Sequence, residues 1–513
     1  MRKVYLLVLL ATLSLPTLSA AQDIYVAQDL AGAGSGSDCD NAYSAAWFNT
    51  ARTWGNARTN SGTRIEPGTT VHLCGVITST LIAQGSGTPG FPITILFEKD
   101  AKLRQPVCPA TTGCLSMNRR ADIILDGGTN GVIEGTDNGT VLGNRSPSVG
   151  VSAYPCTNCE IKRLTIRNIY VHAFDPTDTT LAGNSTNLIK ISGGNITIRD
   201  NILHDAGWAI YHVYGNGDTN VAIHHNDIYN IDHGWAVAGQ GAIAAAKFKF
   251  YDNHIHDYSN WDSNTGIYHH DGVHAFGTNG AVGDQYDIYN NLFDGDCGRN
   301  ITGHIYLESN VKTRWSVTGA ARIFNNVFRC TTDVFGLLNI GSGVVQVYNN
   351  TIIGEKNSMC LTTGQGLTVS IINNAMSGCK FMVNLSSDTN FWDSARADLN
   401  YNTYASNAIQ PWHWKDVSPM TKSFDKWKAN CDCDAHSTHH MGLLLNNDGS
   451  PKPKSPVIRA GKNLTRLAIE ELNRDKARVP RSSFEAWSTG AFEVTNQLET
   501  DVTPFSPTNL TLQ

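Results

Sequence analysis

The densest collection of titratable side chains in the chain is His269, His270, Asp271 and His274, at the end of the stretch YSNWDSNTGIYHHDGVH (258–274). Histidine titrates near neutral pH and can take or give a proton there, while a carboxylate serves as acid, base or metal ligand. Glu308 lies downstream. Paired with Asp271 it is one candidate couple for inverting glycoside hydrolysis, which needs two carboxyls about 6.5 to 9.5 Å apart. The catalytic candidates are therefore His270, Asp271, His274 and Glu308. Asp-Gly is also an ordinary turn signal, so the same residues admit a purely structural reading. Two further groups carry ligand-type residues. His436, His439 and His440 in DCDAHSTHH read as a solvated loop ahead of a transition-metal site. Cys156-x-x-Cys159 has no second pair at finger spacing, which favours a disulfide over half of a zinc site.

The elements that must position these residues repeat. An alternating apolar strand followed by Asn, one variable residue and another apolar residue recurs as ITIRDNIL at 196, VAIHHNDI at 221, FKFYDNHI at 248, YDIYNNLF at 286, ARIFNNVF at 321, VQVYNNTI at 345 and VSIINNAM at 369. The repeated asparagines are Asn201, Asn226, Asn253, Asn291, Asn326, Asn350 and Asn374, separated by 25, 27, 38, 35, 24 and 24 residues. A period of this size indicates a stacked architecture in which each unit buries its apolar face against its neighbours. Two-residue alternation of β-branched and aromatic residues excludes helical repeats; a Leu-rich frame is absent, and a propeller blade needs about 40 residues. A parallel β-helix remains, with the asparagines stacked at the strand spacing of about 4.8 Å. Leu203, Ile228, Ile255, Phe293 and Phe328, two residues later, should fill its interior.

On these repeats (196–378) the chain resembles secreted bacterial proteins of the right-handed parallel β-helix superfamily, which includes pectate lyases, other polysaccharide lyases and glycoside hydrolases. A weaker likeness covers the ends: IYVAQDLAGAGSGSDC, the segment from GTTVHLCGVI to ITILFEKDAKL, and KSPVIRAGKNL with STGAFEV are similar to the caps of such proteins. The resemblance implies an all-β fold, a right-handed parallel β-helix solenoid with an N-terminal cap and an irregular C-terminal segment. It also implies calcium as a possible cofactor that neutralises a uronate, with Lys or Arg as base, or paired carboxylates in the hydrolases.

Aligning the second strands as HVYGN at 212, HAFGT at 274, YLESN at 306 and LNIGS at 338 sorts their faces by the two-residue period. In this alignment Val213, Ala275 and Leu307 point inward, while His212, His274 and Tyr306 form one outward row and Tyr214, Phe276 and Glu308 another. His212, Tyr214, Phe276 and Tyr306 are the substrate-binding candidates, aromatic faces on which sugar rings would lie. A second outward row, His204, Tyr229, His256, Asp294 and Arg329, offers a competing groove. Outward His and Tyr ladders also occur as plain stacked surface rows. The reading is a polysaccharide-active protein, lyase ahead of hydrolase, against the alternative of a non-catalytic carbohydrate-binding or matrix protein.

Composition bounds the rest. With 39 basic against 45 acidic residues the net charge is −6, which gives no basic surface for nucleic acid. At 41% hydrophobic the chain can bury a large core, and at 16% charged it is no coiled coil. Met1, Arg2, Lys3, the apolar run Val4 to Leu15, and Ser19, Ala20 and Ala21 have the layout of a secretory signal peptide. No later stretch is long and apolar enough to span a membrane. The expectation is a secreted monomer, extracellular or periplasmic, whose partner is extracellular polysaccharide. Its twelve cysteines are then disulfides of unassigned connectivity. The expected divisions are signal peptide 1–21, N-terminal cap and first rungs 22–120, β-helix 121–386, irregular capping segment 387–495, and tail 496–513. Within the irregular segment a short helix is expected over 464–478.

Overall fold

The computed structural model describes residues 22–494 except 58, 60–62, 138–145, 171–185, 216–217, 241–245, 260–268, 280–284, 299–300, 308–319, 332–337, 341–343, 356, 364–367, 386–396, 407–410 and 415–422. The segments expected to be a signal peptide (1–21) and a tail (496–513) and the residue Glu308 lie outside the described residues, as does the side chain of Tyr214.

The chain is a parallel β-helix. The strands that precede the repeated asparagines belong to one fourteen-stranded sheet running the length of the molecule. Their register is one rung per repeat: Ile198 pairs with Ile223, then in order with Phe250, Ile288, Ile323, Val347 and Ile371. All seven are fully buried and form one column of the core.

At the end of each strand the backbone turns through a residue with positive φ: Asp200, His225, Asp252, Asn290, Asn325, Asn349 and Asn373. Asp and Asn adopt this conformation more readily than most residues, which explains their frequency there. The ladder asparagine follows. Asn201 Nδ2 donates to Asn226 Oδ1 at 2.9 Å, and the same bond continues through Asn253, Asn291, Asn326, Asn350 and Asn374. The ladder runs one rung further, to Asn402 (3.1 Å). It ends on Asp434, a fully buried carboxylate that also accepts from Trp427 Nε1 at 2.8 Å and Tyr404 OH at 3.0 Å. Leu203, Ile228, Ile255, Phe293 and Phe328 are fully buried, as the repeat requires.

Four strands carry the candidate site: β1 (Ile202–Tyr214), β2 (Asp227–Gln240), β3 (His270–Asn279) and β4 (Ile301–Leu307). β1 pairs first with Thr165–Ile169 and further along with Thr186–Ile191, so it turns a corner of the solenoid and contributes to two faces.

The C-terminal segment lies along the outside of the long sheet as a strap. Leu464, Ile469, Leu472 and Trp487 pack on an external stripe of Tyr289, Phe324, Tyr348 and Ile372. In three rungs the paired asparagines divide the labour: the second builds the interior ladder and the first grips the strap. Asn325 Nδ2 donates to Arg474 O (2.7 Å), Asn349 Nδ2 to Ser488 O (2.9 Å) and Asn373 Nδ2 to Lys462 O (2.7 Å). The helix expected over 464–478 does not form; only the 3-10 turns Thr465–Leu467 and Glu471–Asn473 occur. Packing of the apolar residues on the stripe, together with the bond from Asn325 to the Arg474 carbonyl, overrides local propensity. The α-helix of this region is instead Phe424–Cys431, capped by Ser423.

All twelve cysteines are bonded: Cys39–Cys74, Cys108–Cys114, Cys156–Cys159, Cys297–Cys330, Cys360–Cys379 and Cys431–Cys433. The Cys156/Cys159 pair therefore has no thiolate to offer zinc.

Candidate functional site

Register decides which side chains meet. Trp208 pairs with His233 and His233 with Asp271; three residues on, Tyr211 pairs with Ala236, Ala236 with His274 and His274 with Tyr306. Lys190 precedes Tyr211 in the second row. His212 belongs to neither. It pairs with Val237, hence with the level of Ala275 and Leu307, and is fully buried against Trp235 and Phe248. The expected outward placement of His212 is thus corrected: a one-residue offset puts a side chain on the opposite face. Its Nε2 lies 2.9 Å from the buried carboxylate of Asp218, which also accepts from Gly193 N and Ser192 Oγ, so His212 is a structural corner residue.

His274 and Asp271 do come together, joined by His269 and by His233, which the sequence reading passed over. His233 Nε2 is 3.0 Å from His274 Nδ1. Asp271 Oδ2 is 3.2 Å from His269 Nε2 and 3.4 Å from both His233 Nε2 and His274 Nδ1. Thr302, at the start of β4, donates to the other carboxylate oxygen. Asp271 is fully buried and His233 and His274 nearly so, whereas the His269 side chain is 32% exposed. Gly234 and Gly272 make this geometry available. A Cβ on Gly234 would lie 2.5 Å from Gly272 O, and one on Gly272 2.5 Å from His304 O, so only glycine lets the three backbones stack at this level.

Burial dominates the electrostatics. It pushes the His233 imidazole well below its ordinary pKa, assisted by the neighbouring histidines, and pushes His274 down to about 3. It raises Asp271, with His269 pulling in the opposite direction. His270 stays outside this group: its ring is buried, with Nδ1 3.4 Å from Asp232.

Rings surround the cluster. His274 stacks on Tyr306 (centroids 4.9 Å apart) and touches Phe276 (4.6 Å); Trp208 packs edge-on to Phe276 and Tyr211 and lies beside His233 (5.2 Å). The Lys190 amine sits over Tyr154 and Tyr211. On the adjacent face the row His204, Tyr229 and His256 is stacked, and ionisable groups of this row are already paired, in part across to the neighbouring column of Asp227 and His254: His256 with Asp227, Asp294 with His254 and with Arg329.

Counting from the ladder would have found the missed residues. Trp208 and His233 each lie seven residues after their asparagine, Tyr211 and Ala236 ten after.

Among the described residues three groups have metal-ligand composition. Cys297, His304 and Cys330 are spent by a disulfide. Asp227, His254 and His256 are partly exposed and ion-paired. His233, His269, Asp271 and His274 converge from four residues, with all ligand atoms within 4.8 Å of one another. Calcium does not fit this last group, since it requires six to eight oxygens and the group offers three nitrogens and one carboxylate. His436, His439 and His440 do not appear in any such group.

No family model matches the chain, and no curated protein matches it in sequence. Among solved structures it is similar to pectate lyase Pel9A, at 15% identity and a TM-score of 0.44, over 93% of this chain and 98% of that one.

Proposed function

We propose that this protein is an extracellular polysaccharide-active enzyme whose substrate lies across the face formed by Tyr211, His274, Phe276 and Tyr306. The observation that carries this reading is adjacency: a platform of partly exposed rings abuts the His/Asp cluster, pairing a sugar-stacking surface with groups able to move protons or polarise an oxygen. In this reading Phe276 and Tyr306 hold sugar rings and Asp271 and His274 act at the reacting centre, with His269 on its solvent side. His270 supports the cluster from behind, and Glu308, one residue beyond β4, is the second carboxylate. Lys190 is three rungs from His274, about 14 Å at the rung spacing, too far to share a proton-transfer step but well placed for an acidic sugar further along the chain. Six disulfides suit an oxidising compartment, and no helix among the described residues is long and apolar enough to cross a membrane.

The test is a screen of purified protein against plant, algal and bacterial polysaccharides, following new reducing ends and the absorbance of unsaturated products. An active polysaccharide is expected, acidic ones first, with lyase products ahead of hydrolytic ones. His274→Ala should lower turnover by about 10² to 10⁴ with folding intact. Tyr306→Ala should weaken affinity more than turnover. The near-complete burial of Asp271 and His274 favours a second reading, a non-catalytic carbohydrate-binding protein. Binding without product would select it, and neither binding nor product on any polysaccharide would sink both.

A further inference from the structure

We propose that His233, His269, Asp271 and His274 form a mononuclear site for a divalent first-row transition metal, with three imidazole nitrogens and one carboxylate oxygen as ligands. The argument is first geometric. Around a tetrahedral metal with bonds of about 2.0 to 2.2 Å, neighbouring ligand atoms lie about 3.3 to 3.6 Å apart. Four of the separations here, from 3.0 to 3.4 Å, are at or just below that range. The four ligand atoms all lie within 4.8 Å of one another because β2 supplies His233, β3 supplies Asp271 and His274 on the neighbouring rung, and His269 immediately precedes β3.

Electrostatics points the same way. Asp271 is fully buried, and its Oδ2 is surrounded by three imidazole nitrogens at 3.2 to 3.4 Å. Among the described residues no Lys or Arg pairs with it. A carboxylate in that position is costly unless a cation shares the space. Thr302 fixes the carboxylate through its other oxygen, the outer-sphere support that ligating carboxylates usually have. Imidazole donors select zinc, copper, iron or nickel over calcium and magnesium. The partial exposure of His269 leaves one approach open, and if the sugar reading holds, a hydroxyl or carboxylate of the chain would reach the metal there.

The test uses the full-length secreted protein, stripped with a chelator and titrated with Zn²⁺ by calorimetry and with Co²⁺ by visible absorbance. One equivalent per chain is expected, with a rise in Tm on binding and no competition from Ca²⁺. Loss of outer-sphere partners alone costs 10- to 100-fold in affinity, so His269→Ala and Asp271→Asn should weaken binding about 100-fold or more. His269, the most exposed ligand, is the variant least exposed to a folding defect. His204→Ala, on another face, should bind as the parent does. Absence of stoichiometric uptake, or tight binding retained in both ligand variants, overturns the site. Turnover of a polysaccharide by stripped protein that takes up no metal leaves the sugar reading standing without it; one equivalent of metal with no sugar bound or cleaved does the reverse.

Discussion

Each ladder asparagine satisfies several backbone and side-chain groups at once. Asn326 Nδ2 donates to Ile288 O and Asn350 Oδ1, and its own Oδ1 receives the backbone N–H and the amide of Asn291. Asn326→Ala strands partners in a dry interior, where each unsatisfied group costs about 1 to 3 kcal/mol. A loss of about 2 to 5 kcal/mol is expected from denaturant unfolding, and a loss under about 1 kcal/mol would mean that water replaces the amide. A different residue-scale effect belongs to His254. Burial works against its charge, yet hydrogen bonds to Asp227 and Asp294 raise it to about 9. Because the folded value exceeds the unfolded one of about 6.5, the stabilisation is complete below pH 6.5 and is lost as pH rises toward 9. The side chain is 41% exposed, so solvent screening keeps the effect modest. The urea midpoint of the parent should fall relative to that of His254→Gln across this interval, and parallel curves would remove the assignment.

Strands set what a residue can do, and they mark where the sequence was readable. The ladder could be read directly because every rung repeats the same hydrogen bond and therefore the same residue. The site was only half readable, because nothing in it repeats. His212-Val-Tyr-Gly and His274-Ala-Phe-Gly look equivalent, yet pairing places His212 level with Ala275 and sends its ring inside. His233 stands on a neighbouring rung, in NIDHGWAV, far in sequence from the loop whose histidines drew attention, and only register brings it to Asp271. The same stacking makes the core sensitive to truncation. Phe293 is fully buried, stacks on Phe328 at 5.0 Å and lies beneath the backbone of Gly272. Phe293→Ala should cost about 3 to 5 kcal/mol in equilibrium unfolding, since hydrogen-bonded rungs on both sides cannot close the cavity. A cost below about 1 kcal/mol would show that they can.

At the scale of the molecule, a solenoid is open-ended by construction: each rung satisfies its neighbour, and nothing in the repeat itself says how many there should be. Here the asparagine ladder ends on Asp434, and the strap, residues 462 to 493, reaches back from the Asn373 rung to the Asn325 rung and returns past Asn349 to Asn373. That strap is a measuring rod. Its anchor points match the rung pitch only for the present number of rungs, so duplicating one repeat between Asn349 and Asn373 would displace the anchors by about 4.8 Å and break the grip. The same duplication between Asn201 and Asn226 leaves every anchor in place. The first insertion should lower the Tm markedly and the second should leave it close to the parent; equal effects would deny the strap this part. A lineage built on this chain is free to lengthen by repeat duplication only on the N-terminal side of the strap, so new surface can be added there while the C-terminal half keeps its length.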